Sequence, residues 1–439
     1  MMNKKKFKRN YILKTLLPVS LIAVAGVATS IVFITKSCNG KSSGSIDGKN
    51  WKGYISGNLE ITLYGETKTA IISASDSYKA DNLIIPETIE AGGITYTIIG
   101  IGENAFKDQD ISGGVSLPNT ITSIGAHAFE GCDKLTGTLK LPSDITSISD
   151  YAFKDCSGLT GTLKISNKIE NIGDYAFSGC SKLSTLDLTT ATNLTTIGSQ
   201  AFAQCYNIGG TIMIPPQLTR ISNAAFSACT SLNSINFTNA TSLTNIANMA
   251  FQACTSLTTA NLIYASSLEN IGQSAFAGDT SLSGIITIPN NVQTIDNNAF
   301  LNCSSIAALN LASALNLENI NFAAFKGCTG LSAADLSSAP KLNTINGFAF
   351  DGCSNLLGTL SIPPTVNTLG NGAFRNCSNI NQLVLTSRAS QPNWLGTDIF
   401  QGWDETSTDC TVVITGGWNT NDALVYLQTK GLPTNWDVA

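Results

Sequence analysis

Ten of the twelve cysteines occupy one recurring position: Cys132, Cys156, Cys180, Cys205, Cys229, Cys254, Cys303, Cys328, Cys353 and Cys377 each stand three residues after a phenylalanine. A cysteine can be a nucleophile, half of a disulfide, a zinc ligand or a small buried apolar residue. A disulfide framework uses irregular spacings in a small domain, whereas these spacings are regular. If equivalent units stack, their thiols lie about 5 Å apart with parallel Cβ vectors, a direction that suits a disulfide poorly. Zinc needs ligands that converge tetrahedrally, often from C-x-x-C pairs. A straight row does not converge, and no C-x-x-C occurs. The cysteines are therefore expected to form a structural ladder, with Asp279 taking the position once. Cys410, outside the series, is expected to be a buried cap residue.

His127 is the single histidine, so a Ser-His-Asp or Cys-His site would have to use it. It stands two residues before Phe129, where other units have Tyr151, Gln200, Met249, Asn298 and Phe348. That variety reads as an unconstrained surface slot. Asp and Glu are scattered at turn positions without the recurring pair of a two-carboxylate site. "SGGVS" and "TGGW" lack the lysine and the strand–helix context of a phosphate loop. No catalytic, metal or cofactor residue is expected, and the chain reads as a non-enzyme. Seven of the 25 Lys and Arg precede Cys38 and no acid precedes Asp47, so the body carries a formal charge of about −12. That excess argues against nucleic acid, whose phosphates need clustered bases.

The elements that hold these residues are repeats. Ala-Phe pairs recur with Phe at 106, 129, 153, 177, 202, 226, 251, 276, 300, 325, 350 and 374, followed by Ile399-Phe400, at intervals of 23 to 26 residues. In "CSGLTGTLKISNKIENIGDYAF", residues 156–177, Leu163 and Ile165 alternate with polar residues, the pattern of a strand with one buried face. "Asp-Tyr-Ala-Phe-Ser-Gly" suggests a single helical turn on the opposite side. Units come in two lengths. Short ones begin at Cys132, Cys156, Cys205, Asp279 and Cys353, and long ones at Cys180, Cys229, Cys254, Cys303 and Cys328. Stacked units bury what one unit cannot, and the mixed lengths should bend the stack unevenly.

Units of the form "TSIxxxAFxxCxxLxxLxLP" resemble the BspA-type leucine-rich repeats of bacterial surface proteins, over residues 96–405. Gly57 to Phe106 resembles the lead-in β-hairpin segment of that family. The resemblance implies an α/β-type solenoid dominated by β: a right-handed leucine-rich repeat solenoid with a parallel sheet on one face, short helical turns on the other and capped ends. It also implies a cell-surface role in adhesion to host proteins, glycans or other cells; a surface-coat protein without a defined ligand is the alternative.

The expected organisation is a basic cytoplasmic stretch (1–14), an uncharged apolar span (15–35), a flexible linker (36–50), a β cap (51–95), the solenoid (96–405) and a C-terminal cap (406–439). That last cap should hold a short helix from about Asn421 to Lys430, stopped by Gly431. The span is long enough for a signal-anchor, which places residues 38–439 outside by the positive-inside rule. "ITKSC" loosely resembles a lipoprotein box, which makes Cys38 a possible lipidation site. The sheet's outward row is the expected ligand face: Lys140, Lys164, Asp187, Met213, Asn236, Asn261, Thr287, Asn310, Asp335, Ser361 and Val384, flanked by Thr138, Thr162, Thr185, Thr211, Ser234 and Thr259. The expected partner is an extracellular protein or glycan.

Overall fold

Repeating apolar residues with few charges build coils that must lie on one another, and the computed structural model shows a β-solenoid of about 14 turns. It describes residues 32–33, 51–55, 59–74, 78–91, 93–386, 395–403, 410–415 and 420–438. Phenylalanine rings from Phe106 to Phe374 stack coil on coil with centroids 5.0–5.4 Å apart. Each of these rings is fully buried. Burying an aromatic side chain contributes about 1.5–3 kcal/mol, and both faces of the ring are covered only when a coil lies on either side.

The backbone forms two ladders. One is a ten-stranded parallel sheet of two-residue strands, running from Ser147–Ile148 and Asn171–Ile172 to Thr344–Ile345 and Thr368–Leu369. Its isoleucines pair in register and point inward, as Ile172 does with Ile197 and Ile197 with Ile221. The other is the sheet expected from the alternating pattern, and it is broken into pieces. Thr162–Lys164 pairs with Thr185–Asp187. Gly210–Met213, Leu232–Asn236 and Thr259–Ala260 form a second piece. Gly284–Thr287, Ile306–Asn310 and Ala333–Ala334 form a third, and Gly358–Ile362 opens a fourth with Ile380–Thr386.

The breaks follow from unit length. Each piece opens on a short unit, and the sheet is interrupted where a long unit hands on to a short one. Where a short unit meets a longer partner the register slips, at Gly210/Thr211, Gly284/Ile285 and Gly358/Thr359. The slip needs a left-handed residue, and glycine supplies it with φ of 78°, 76° and 73°.

The expected helical turn around Ala-Phe is corrected. His127, Tyr151, Tyr175 and Met249 have φ of 55–58°, and the residue two after each phenylalanine is also left-handed, as Gly131 (φ 74°) and Asp155 (φ 57°) show. Two left-handed residues in five exclude a helix. Alternate amides turn back within the coil, Ala128 N to Gly125 O (3.2 Å) and Glu130 N to His127 O (3.2 Å). The others donate to the next coil, His127 N to Asp150 O (3.0 Å) and Phe129 N to Ala152 O (2.7 Å). This segment is a ladder of turns.

At the N-terminal side, Leu59–Tyr64 and Thr69–Ala74 form an antiparallel hairpin. Ile94–Ile101 joins it and pairs in parallel with Ser123–Ile124. At the other side Thr411–Thr415 adds to Ile380–Thr386. The helix Thr420–Gln428 buries Ala423 and Leu427, and Gly431 follows with φ 92°. Of the apolar span 15–35, Val32–Phe33 are described and pair as a strand with Ile89–Glu90. Its other residues, the linker and Cys38 lie outside the described residues. Among the described residues no helix is long and apolar enough to cross a membrane.

Candidate functional site

The cysteines line the interior. All ten repeat thiols are fully buried and free. Each donates its S–H to the carbonyl of the phenylalanine one coil earlier, from Cys132 to Phe106 O (3.0 Å) through Cys180 to Phe153 O (3.2 Å) to Cys377 to Phe350 O (3.2 Å). The regularity of the position thus has a chemical cause. The phenylalanine carbonyl points into the core, and a thiol is a small donor that meets it without bringing a charge. In the last coil Trp403 does the same work, Nε1 donating to Phe374 O (2.8 Å). Burial pushes Cys132, Cys229 and Cys328 up to about 12 and raises the others as well, so the reactive thiolate is suppressed. Cys410 is also buried and free. Among the described residues no three His, Cys, Asp or Glu side chains converge as metal ligands.

The slot of His127 is constrained after all. Its backbone is left-handed and its ring stacks on Tyr151 at 4.6 Å, which stacks on Tyr175 at 4.7 Å. His127 Nδ1 also meets Glu130 Oε2 at 2.6 Å. Glu130 further pairs with Lys107 (2.8 Å) and Lys154 (3.1 Å), from the coils on either side. Burial opposes its ionisation, but hydrogen bonds from Lys107, His127 and Lys154 prevail and hold it at about 2. Nine coils further on the same device recurs directly after Phe350: Asp351 lies between Lys326 (3.2 Å) and Arg375 (2.9 Å), and Phe348 lies under both cations. These acid-between-cations clamps, on the position directly after each phenylalanine, tie successive coils together. The sequence carried their signal in that position, Lys-Glu-Lys and Lys-Asp-Arg in consecutive units.

None of the eleven outward residues is buried. The pairing aligns Lys164 with Asp187, Met213 with Asn236, Thr287 with Asn310 and Ser361 with Val384. Lys140 precedes the first of these strands in the same column of the repeat. Asn261 and Asp335 fall just past the two-residue strands Thr259–Ala260 and Ala333–Ala334, where short 3₁₀ turns begin. In four of the five long units the side chain turns back on its own backbone, and Asn261 in the fifth makes no side-chain cap bond. Asp187 accepts from Thr189 N (3.0 Å), Asn236 from Thr238 N (2.8 Å), Asn310 from Ala312 N (3.0 Å) and Asp335 from Ser337 N (3.1 Å). Hydrogen bonds from Thr189 lower the pKa of Asp187, and those from Ser337 and Ser338 lower that of Asp335. These are Asx turns that accommodate the extra residue of a long unit.

The face also changes character along its length. The hydroxyl column is continuous through Thr259, whose Oγ1 bonds Ser234 Oγ at 2.6 Å. It then gives way to Ile285, Ala308 and Ala333, which share one register. Ile285 is 63% exposed and the nearby Leu357 60%. This apolar stretch went unrecognised in the sequence, where its signal was the loss of threonine from that column.

The family model described as BspA type leucine rich repeat region matches in six copies, over residues 99–211, 195–332 and 313–402. A leucine rich cell surface protein from Faecalibacterium prausnitzii is 20% identical, with 86% of this chain and 97% of that one covered at a TM-score of 0.48. A leucine-rich repeat protein from Bacteroides ovatus is 21% identical, covering 79% and 98% at 0.47. The pneumococcal vaccine antigen PcpA is 15% identical, covering 89% and 98% at 0.47. No curated protein matches the chain. With the repeat model spanning well over half of its length, the chain belongs to the BspA-type leucine-rich repeat family.

Proposed function

We propose that this protein is an outward-facing, non-enzymatic surface protein of a bacterium that recognises a host or neighbouring-cell protein or glycan through the interrupted sheet. The observation that supports this is the state of Lys140 and Lys164. Nearby Lys134 and Lys168 pair with Asp110 and Asp144 of the preceding coil. Lys140 and Lys164 are exposed, stand in one column on adjacent coils, and form no ion pair among the described residues. Like charges stacked across strands are unfavourable; Asp187 on the following coil offsets Lys164 in part, and a partner that brings acidic groups would relieve the rest. In this reading the N-terminal segment attaches the protein to the membrane, and the hairpin and the C-terminal helix cap the stack.

A second reading, a coat protein without a defined ligand, is favoured by the Asx turns, because four residues of the outward row have a structural occupation. The test is a binding screen of the purified full-length chain, kept in detergent, against arrayed extracellular-matrix proteins and glycans. Recognition predicts saturable binding to a restricted set, weakened at least tenfold by Lys140→Glu with Lys164→Glu. Absence of binding, or binding indifferent to that double variant, favours the coat.

A further inference from the structure

Asp279 stands where ten other coils have cysteine, and it breaks their hydrogen-bond pattern. In each of those coils the thiol donates to the phenylalanine carbonyl of the preceding coil at 3.0–3.3 Å. The carbonyl that Asp279 should serve is that of Phe251, which accepts only from Cys254 N (3.2 Å). Asp279 Oδ1 accepts from Cys254 N at 2.8 Å, while Oδ2 is buried without a hydrogen-bond partner. The side chain is wholly inaccessible to solvent. As a carboxylate it would leave Oδ2 unmet, and Phe251 O without the second donor that its counterparts receive from a thiol, an arrangement that is costly in the core. A proton on Oδ2 supplies the donor that the row lacks at this coil.

We propose that Asp279 is carried in the folded solenoid as a neutral carboxylic acid whose Oδ2 hydroxyl replaces the thiol toward the Phe251 carbonyl, and that loss of this proton loosens the joint between the Cys254 and Asp279 coils. The titratable groups that face it are the thiols of Cys254 and Cys303, one on each adjoining coil. Burial raises the pKa of both, so neither is a competing anion near neutrality. No ion pair reaches Asp279 among the described residues. Burial likewise raises the pKa of Asp279 well above its ordinary 3.8. The sign follows. Folding takes up a proton between the unfolded and folded values, so the joint is most stable below about pH 3.8 and weakens as pH rises, until the folded group itself ionises. Over that window the folding equilibrium falls by up to about tenfold per pH unit.

The experiment compares the full-length chain with Asp279→Asn and Asp279→Cys by urea unfolding from pH 4 to pH 9. Exchange of the Cys254 amide is followed in parallel. Asparagine and cysteine both supply an uncharged donor, so each variant should gain on the parent as pH rises and match it most closely at pH 4. Infrared difference spectra of parent minus Asp279→Asn at pH 7 should show a protonated-carboxyl carbonyl band. A stability difference that does not change with pH, or a difference spectrum without that band, overturns the proposal. The infrared reading decides even if one variant folds poorly.

Discussion

Replacing an alanine by glycine normally weakens a protein, but at Ala253 it should strengthen this one. Ala253 lies two residues after Phe251 with φ 60°. Six other coils place glycine there: Gly131, Gly179, Gly278, Gly327, Gly352 and Gly402, with φ of 74–82°. The left-handed conformation costs an L-residue about 1–2 kcal/mol. Glycine avoids that cost, loses about 0.4–1 kcal/mol through the freer unfolded chain, and forfeits a half-buried methyl worth a few tenths of a kcal/mol. The net expectation for Ala253→Gly is stabilisation by about 0.5 kcal/mol. Ala250, in the same coil, is wholly buried and is not left-handed. There glycine loses a buried methyl of about 0.8 kcal/mol and pays the same entropy, so Ala250→Gly should destabilise by about 1.5 kcal/mol. Urea midpoints of the two variants should move in opposite directions. Amide exchange in residues 245–260 reads the same difference locally, which matters because a stack of repeats can open in parts. Two variants that both destabilise by similar amounts would refute the left-handed turn ladder.

Cys180→Ala should cost about 1–2 kcal/mol, because it leaves the Phe153 carbonyl without its thiol and opens a small void. Cys180→Asp should cost more near neutral pH and recover in acid, as Asp279 does; a neutral effect of both in thermal unfolding would sink the thiol ladder. Glu130, held at about 2 against an ordinary 4.5, contributes stability that is present above pH 4.5 and lost as pH falls toward 2. Glu130→Gln should cost about 1 kcal/mol at neutral pH, a modest figure because Lys107 and Lys154 retain contact with water, and should abolish this acid limb; an unchanged acid unfolding profile would contradict the clamp.

The period of the solenoid was legible because a coil needs its Ile, Phe, Cys and Leu at fixed places, and the two unit lengths already contained the breaks in the sheet. The ten-stranded ladder was not legible, since a two-residue strand such as Asn171–Ile172 is too short to show alternation. The left-handed turns were hidden for a different reason. Tyr151, Gln200, Met249 and Phe348 have no intrinsic liking for positive φ; bonds to the neighbouring coil impose it, and stacking of His127 on Tyr151 and Tyr175 adds to it. The outward row was legible as positions that stay out of the core, some exposed as Lys140 and Lys164 are and some half-buried as Asp187 and Met213 are. The turn chemistry of Asp187, Asn236, Asn310 and Asp335 was available in "DLT", "NFT", "NLA" and "DLS", where an Asx side chain reaches an amide two residues on.

The central claim is that the cysteine row is an internal hydrogen-bonding spine with no chemistry of its own. Its most direct test is peptide mass mapping of the full-length chain after alkylation with iodoacetamide, first native and then unfolded without reductant. The expected result is that Cys132 to Cys377 of the row, with Cys410, stay unmodified in the native protein and are all alkylated once it is unfolded. Alkylation of any of them in the native state, or pairs that resist alkylation after unfolding, would contradict it.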